Sequence, residues 1–449
     1  MSNPSHSSTE AWDPDLALAR AVQLHNAGRI EEAEPVYDRI LEALPDHAET
    51  LHFKGLAVHQ RGRHAEAIAL IRAAIALNGE QFGWHCNLGN VLLMAGQADA
   101  AADAYEQALR LAPPGYADIH NNLGVLLHEQ RRFEKAEFAL RRALELDPFR
   151  SEVHANLGRL LLSLGRLDEA QRCLEEALRL NPDLLAAYPL LALVHRRSGR
   201  LAEAARVFRD CLAQAPGDPI ALHHLAACAG EAAPERAADA YVERLFDTSA
   251  GNFDKTLGGL DYRGPALVAE AVAQCLGEPA HALDVLDAGC GTGLCGPVLA
   301  PYACRLRGVD LSQRMLDKAQ ARQVYDALEK AELGAYLEIA QPGSYDLIVS
   351  ADTLCYFGEL RGLFRAAAKA LRPQGWLVFT AEASEGQDGA GFQLHPHGRY
   401  SHRDAYLREA LAQAGLAVHE LRRAPLRSEA GEAVQAWVVS CRNEAPRSF

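Results

Sequence analysis

An alanine recurs at Ala33, Ala67, Ala101, Ala136, Ala170, Ala204 and Ala238, at successive spacings of 34, 34, 35, 34, 34 and 34 residues. A fixed period of this length restricts the fold to a stack of like units, because one such unit cannot bury its apolar face alone. Two helices per unit are expected, with the alanine in the second. A larger residue follows four positions on (Tyr37, Ile71, Tyr105, Leu140, Leu174, Phe208), and a helix stop twelve positions on (Pro45, Gly79, Pro113, Pro148, Pro182, Pro216). Twelve positions before it stand Gly55, Gly89, Gly124 and Gly158, with Ala21, Ala192 and Ala226 in the other units. Small residues there let two helices approach closely, while large ones fill the grooves. The seventh unit departs from the pattern. Ala238 keeps the period, but Ala229-Gly-Glu-Ala-Ala-Pro-Glu235 replaces the inter-helix turn, and no proline stands at 250. It reads as a terminal unit that caps the stack and hands over to a second domain.

That second domain announces itself in Val285-Leu-Asp-Ala-Gly-Cys-Gly-Thr-Gly-Leu294. An apolar run ends in Asp287, and glycines alternate at Gly289, Gly291 and Gly293 before a helix expected from about Leu294 to Ala300. This is a strand entering a turn too tight for side chains, where backbone passes close under a ligand. The free N–H groups of the following helix add positive dipole character. A carboxylate at Asp287 suits a ligand bearing an ammonium group and would repel a pyrophosphate. Gly291-x-Gly293-x-x-Gly296 also fits a dinucleotide turn, so a nicotinamide enzyme is the rival reading. Arg305-Leu-Arg-Gly-Val-Asp310 reads as a second strand ending in an acid placed for two ribose hydroxyls, a feature of both readings. The residues after Asp310 separate them: Ser312 near a helix cap, then Met315 facing back over the site.

The run from Val285 to Met315 resembles the first two motifs of the class I S-adenosylmethionine-dependent methyltransferases. Ala331-Glu-Leu333 resembles the third motif, Tyr345 to Asp352 strand four, and Leu371-Arg-Pro-Gln-Gly375 the turn before strand five, with Gln374 where the family usually has glycine. The resemblance covers roughly 170 residues in order, a context that gives the short motifs their weight. The alanine period resembles the tetratricopeptide repeat, over about Pro14 to Phe246, although the tryptophan of that repeat is mostly absent. Together they resemble the tetratricopeptide-containing predicted methyltransferases of bacteria.

The resemblance implies an α-solenoid followed by a Rossmann-like, doubly wound α/β domain. The expected divisions are a disordered tail over 1–13, repeats over 14–246 and a methyltransferase domain over 247–449 with its core at 283–441. A chain starting near Thr248 is expected to fold alone and bind cofactor. S-adenosyl-L-methionine is the implied cofactor. Asp287 would orient its ammonium, Gly289, Gly291 and Gly293 would allow close approach, and Asp310 would take the ribose hydroxyls. Leu311, Met315, Ala331 and Leu333 would sandwich adenine, with Glu332 near its amino group. Asp352 and Tyr356, at the carboxyl end of strand four, face the reactive methyl, and Tyr262 is the aromatic of a leader that covers the cofactor. Within the loop Gly391 to His402, His397 is the candidate base, since histidine titrates near neutrality; for each of these residues, packing or solvation is the competing account.

The repeats carry no obvious chemistry, and their use is a concave surface. Asn87, Asn122 and Asn156 occupy one position in three successive first helices. Each amide offers a donor and an acceptor, so the column can pair with an extended peptide, resembling the asparagine ladder of the O-linked N-acetylglucosamine transferase repeats. The alternative, pairing with the neighbouring helix, stays open. His85, His120 and His154 also align, without cysteine or carboxylate companions, and read as packing residues; no metal site is expected.

A length of 449 residues allows two or three domains. The formal net charge of −14 argues against a nucleic-acid partner. No apolar run is long enough to span a bilayer, and the polar first ten residues lack a secretory pattern. The ten cysteines form no C-x-x-C pair, which suits reduced thiols in the cytoplasm. No Asn/Asp-Pro-Pro-aromatic motif comes after strand four, which weakens amide or adenine N-methylation, and the lack of Pro-Cys weakens cytosine C5 chemistry. Three functions are compatible with these residues. The first is a methyltransferase whose repeats recruit a protein or carrier-bound acceptor. The second is a small-molecule methyltransferase with the repeats as scaffold, and the third a cofactor-binding module without catalysis.

Overall fold

The computed structural model describes residues 12–230, 233–384, 391–429 and 431–444. Most of the expected N-terminal tail lies outside these residues; Asp13 is already the N-cap of the first helix, accepting from the N–H groups of Asp15 and Leu16. The chain forms two compact units, 1–194 and 195–449.

The first unit is built from helical hairpins: α1 (Pro14–Asn26) with α2 (Ile30–Ala43), α3 (Ala48–Gln60) with α4 (His64–Leu77), and α5 (Phe82–Met94) with α6 (Ala98–Leu111). Two more come next, α7 (Ala117–Glu129) with α8 (Phe133–Leu146) and α9 (Ser151–Ser163) with α10 (Leu167–Leu180). The unit division falls within α11 (Ala187–Arg197). The periodic residues do what their spacing implies. Ala33, Ala67, Ala101, Ala136 and Ala170 are fully buried. A Cβ placed on Gly55, Gly89, Gly124 or Gly158 would stand 2.6–2.7 Å from Ile71, Tyr105, Leu140 or Leu174, the large residue sixteen positions later. Glycine at each crossing is therefore a condition of the helix separation. Each hairpin turns on a residue with positive φ, glycine in four of the five and Arg131 (φ 60°) in the fourth.

The second unit opens with α12 (Leu201–Gln214), α13 (Pro219–Ala229), α14 (Asp239–Ser249), α15 (Phe253–Gly258) and α16 (Gly264–Leu276). The sheet then builds from β1 (Leu283–Ala288), β2 (Ala303–Asp310), β3 (Ala327–Lys330), β4 (Tyr345–Ser350) and β5 (Leu371–Glu382). Between these strands run α17 (Gly296–Leu299), α18 (Gln313–Gln320), α19 (Leu333–Ile339) and α20 (Arg361–Ala370). The short strands β6 (Phe392–Leu394) and β7 (Tyr400–His402), α21 (Asp404–Gln413), β8 (Leu416–Glu429) and β9 (Glu432–Asn443) complete it. Seven strands lie in the order β3-β2-β1-β4-β5-β9-β8, parallel except where β9 runs antiparallel to β5 and β8. Strand order reverses between β1 and β4, and ligands of open α/β sheets bind at such a switch point. Alternation divides the core. Leu286, Ile348, Leu377 and Phe379 pack on one face with α20 and α21, while Val285, Leu347, Val349 and Val378 pack on the other with α16.

Three expectations change. The helix after the glycine turn is four residues long, Gly296–Leu299. The supposed polar loop 391–402 carries the β6–β7 hairpin. Ala238 is the exposed N-cap of α14 rather than a buried crossing point. The seventh unit loses the repeat phase because 235–237 pairs instead with 356–359, the segment after β4. Ala237 N–H donates to Tyr356 O (2.8 Å), and Gly358 and Glu359 N–H both donate to Glu235 O (2.8 Å). Compactness thus starts the second unit at His195, whereas the repeat period runs on to Phe246. No described helix is long and apolar enough to cross a membrane.

Candidate active site

β1 delivers Asp287 to the carboxyl edge of the sheet, and the turn beyond it is pinned by two N–H groups, of Gly289 and Cys290, on Val309 O of β2 (2.8 and 3.0 Å). Gly289, Gly291 and Gly293 have φ of 78°, 53° and 81°. Their duties differ. A Cβ on Gly289 would meet Thr353 Oγ1 at 2.3 Å, and one on Gly293 the Tyr325 ring at 2.9 Å, so both are packing glycines; one on Gly291 meets nothing within 4 Å. Gly289 and Gly291 line a cavity of about 400 Å³, within the usual range for small-molecule sites; Gly293 does not line it.

Two acids from adjacent strands face this cavity. Asp287 is 1% exposed and accepts from Tyr325 Oη (2.6 Å). Burial pushes its carboxyl up to about 7, against the lowering effect of that hydrogen bond. Asp310 accepts from Gly291 N–H on one oxygen and Ser312 N–H on the other, both at 2.9 Å, and burial raises its carboxyl as well. Leu311, Ala331, Glu332 and Leu333 continue the same wall. Glu332 caps α19, accepting from Gly334 and Ala335 N–H at 2.9 and 2.7 Å. Met315 is fully buried and does not line the cavity: the cap of Ser312 turns α18 so that it points into the core.

Asp352 comes just after β4 with φ +54°, a sparsely populated conformation for a non-glycine residue. Both its oxygens accept from Arg427 Nη1 (2.9 Å each). Arg427, its side chain 3% exposed on β8, also holds Glu382 and, at 2.6 Å, Glu429. Burial raises Asp352 and pushes Glu382 up to about 7. Donor atoms of Asp352, Cys355 and Glu382 lie within 4.8 Å of one another, but a guanidinium already neutralises the carboxylates of that cluster.

Tyr356 and Tyr262 line the cavity, and burial raises both hydroxyls well above their ordinary value, so they stay neutral. His397 lines it too, stacked on His395 at 5.1 Å, but burial lowers its imidazole to about 4, so it is uncharged and does not titrate near neutrality as its residue type led one to expect. Sequence reasoning missed Tyr325, Arg427 and the wall given by α14, whereas α15 lies within the leader, Phe253 to Pro265, expected to cover the cofactor. Asp247 of α14 accepts from Ser312 Oγ (2.5 Å), while Asp254 of α15 accepts from Thr292 Oγ1 and Arg322 Nη2 (2.5 Å each). These partners are 38 to 68 residues apart, and no local pattern connects them.

In the first unit, Asn87 bonds His52 Nε2 (3.0 Å), Asn122 donates to Asn90 (3.3 Å) and Asn156 donates to Asn121 (2.9 Å). Each amide thus commits one bond to the preceding repeat.

Comparison with known proteins matches these halves separately. A methyltransferase-domain model matches residues 260–421, and a tetratricopeptide-repeat model matches 18–81, 86–151 and 156–219. The human methyltransferase-like protein 27 is 35% identical over 111 residues, 24% of this chain and 45% of that protein. A ubiquinone biosynthesis O-methyltransferase of Burkholderia vietnamiensis is 29% identical over 98 residues, 21% of this chain and 42% of that enzyme. The chain thus spans less than half the length of the curated relatives it matches. The crystal structure of MamA is similar with a TM-score of 0.34 and 21% identity, covering 36% of this chain and 94% of that one. The chain carries tetratricopeptide repeats followed by a methyltransferase domain.

Proposed function

We propose that the chain is an S-adenosylmethionine-dependent methyltransferase whose repeats recruit a protein or carrier-bound acceptor. The observation that carries the cofactor reading is the pair Asp287 and Asp310, at the ends of adjacent strands, facing one cavity across a turn in which Gly291 alone opens onto free space. The bound cofactor supplies a sulfonium methyl group for in-line displacement. Asp287 suits its ammonium group, and Asp310, each oxygen already oriented by a backbone N–H, keeps lone pairs for two hydroxyls. Leu311, Ala331 and Leu333 offer apolar flanks to a purine, with Glu332 beside them, and Tyr262 lines the same cavity. Asp352 is immobilised by Arg427 at the carboxyl end of β4, which suits positioning. Neutral His397 and Tyr356 line the part of the cavity left for the acceptor, where His397 is the candidate to take its proton.

Asn87, Asn122 and Asn156 remain the candidate rungs for an extended peptide, since one bond to the neighbouring repeat leaves each amide further capacity. A cytoplasmic setting suits ten free thiols. The test is transfer of labelled methyl from S-adenosylmethionine to proteins retained by the full chain. Changing all three asparagines to alanine should cut transfer at least tenfold at unchanged cofactor affinity. Full transfer by the triple variant would reduce the column to repeat packing.

A further inference from the structure

The same cavity has a second set of lining residues, from α14 and α15, which the proposed cofactor contacts leave unused. Its wall is one face of α14: Tyr241, Val242, Leu245 and Phe246 point inward at helical spacing. The outer face is fixed by Glu243 to Lys330 (2.5 Å), Arg244 to Asp218 (2.6 Å) and Asp247 to Ser312 (2.5 Å), so the wall is held from three sides. Tyr241 stacks on His223 at 3.8 Å, which ties α14 to α13.

At the centre of this wall Phe246 meets Tyr356 at 5.4 Å and 79°, and Phe253 at 5.8 Å and 70°. Ring edges set nearly perpendicular around an apolar space accept a flat ring in stacked or edge-to-face contact. Each arginine that lines the cavity is already paired, and acids outnumber arginines in the lining. Arg236 pairs with Asp239, Arg399 with Glu429, and Arg427 with Asp352 and Glu382. An anionic acceptor would find no counter-charge without breaking one of these pairs. Val242, Leu245, Phe246 and Phe253 offer a peptide backbone no partners, and burying its N–H and C=O groups unpaired against them is costly. The strap 235–237, which lines the cavity through Arg236 and Ala237, is bonded to Tyr356, Gly358 and Glu359.

We propose that this part of the cavity binds a planar, largely apolar acceptor group that carries no negative charge, with Phe246 as the specificity-determining residue. The inference rests on the reading of the adjoining half as a cofactor site, and the test separates the two. S-adenosylhomocysteine is titrated first into the full chain, and 2-naphthol, a flat neutral probe with one hydroxyl, is then titrated into the saturated protein at pH 7. Saturable naphthol binding is expected, at least tenfold tighter than for 2-naphthoate, which adds only a charge. Phe246→Ala should weaken naphthol at least tenfold and leave S-adenosylhomocysteine within twofold. Phe253→Ala, on a different helix, should do the same and serves if the first variant is unstable. Absence of S-adenosylhomocysteine binding overturns the cofactor reading. Normal binding of it with no saturable naphthol, with naphthoate bound equally well, or with both phenylalanine variants unchanged, overturns the acceptor inference alone.

Discussion

Gly289 and Gly291 share a turn and a left-handed backbone yet stand in opposite surroundings, one against Thr353 and the other against open cavity. Alanine at either incurs a left-handed cost of roughly 1–2 kcal/mol. Gly289→Ala adds the steric conflict with Thr353, about 1–3 kcal/mol more, and should lower the midpoint of chemical denaturation clearly. Gly291→Ala should lose only that backbone cost in stability but lose S-adenosylhomocysteine, because its methyl group enters the space the ligand needs. Equal loss of stability in both would contradict these separate roles. Asp287 makes a second prediction at this scale. Its carboxyl titrates near 7 in the folded chain, above its ordinary value of 3.8, so its contribution to stability is present at low pH and fades as pH rises through about 7. Ligand affinity runs the other way, since an ammonium group prefers the carboxylate. Calorimetry should show S-adenosylhomocysteine weakening by up to about tenfold per pH unit below 7. Tyr325→Phe removes a bond that favours the carboxylate and should shift that midpoint upward. A flat profile from pH 5.5 to 8 would contradict it.

Among the elements, the repeats and the glycine turn are legible because their chemistry is local: a period of 34 with paired small and large residues, and a strand ending in an acid before alternating glycines. Gln374, standing where glycine is the norm, takes φ +69°, so the turn keeps its geometry without the residue. What the sequence hides is tertiary. Met315 is placed in the core by a helix start at Ser312, and nothing in a helical pattern specifies which way that start faces. Arg427 reads as one charge among several on β8 until strand order sets it against acids 45 and 75 residues distant. The repeat period ends where 235–237 pairs with 356–359, an event between segments more than a hundred residues apart. α13 and α14 are therefore structural parts of the methyltransferase half. His223 Nε2 lies 2.8 Å from Gly398 O, and fully buried Tyr400 donates its hydroxyl to Pro234 O at 2.9 Å. A chain starting at His195 should express soluble and bind S-adenosylhomocysteine like the parent. One starting at Thr248 exposes Tyr400 and the apolar cavity wall, and should aggregate or bind at least tenfold more weakly. Equal behaviour of the two would restore the boundary that the repeat period implies.

Across the whole molecule, a periodic stack supplies surface and a doubly wound sheet supplies a site, and the account depends first on what that site holds. The rival is a nicotinamide dinucleotide, whose pyrophosphate would face Asp287 and whose ribose would share Asp310. Isothermal titration of the full chain with S-adenosylhomocysteine and, separately, with NADH decides between them. The account predicts micromolar binding of S-adenosylhomocysteine, about −7 to −8 kcal/mol, weakened by roughly 1.5–3 kcal/mol in Asp310→Ala, and no heat with NADH. Binding of NADH without binding of S-adenosylhomocysteine would contradict it.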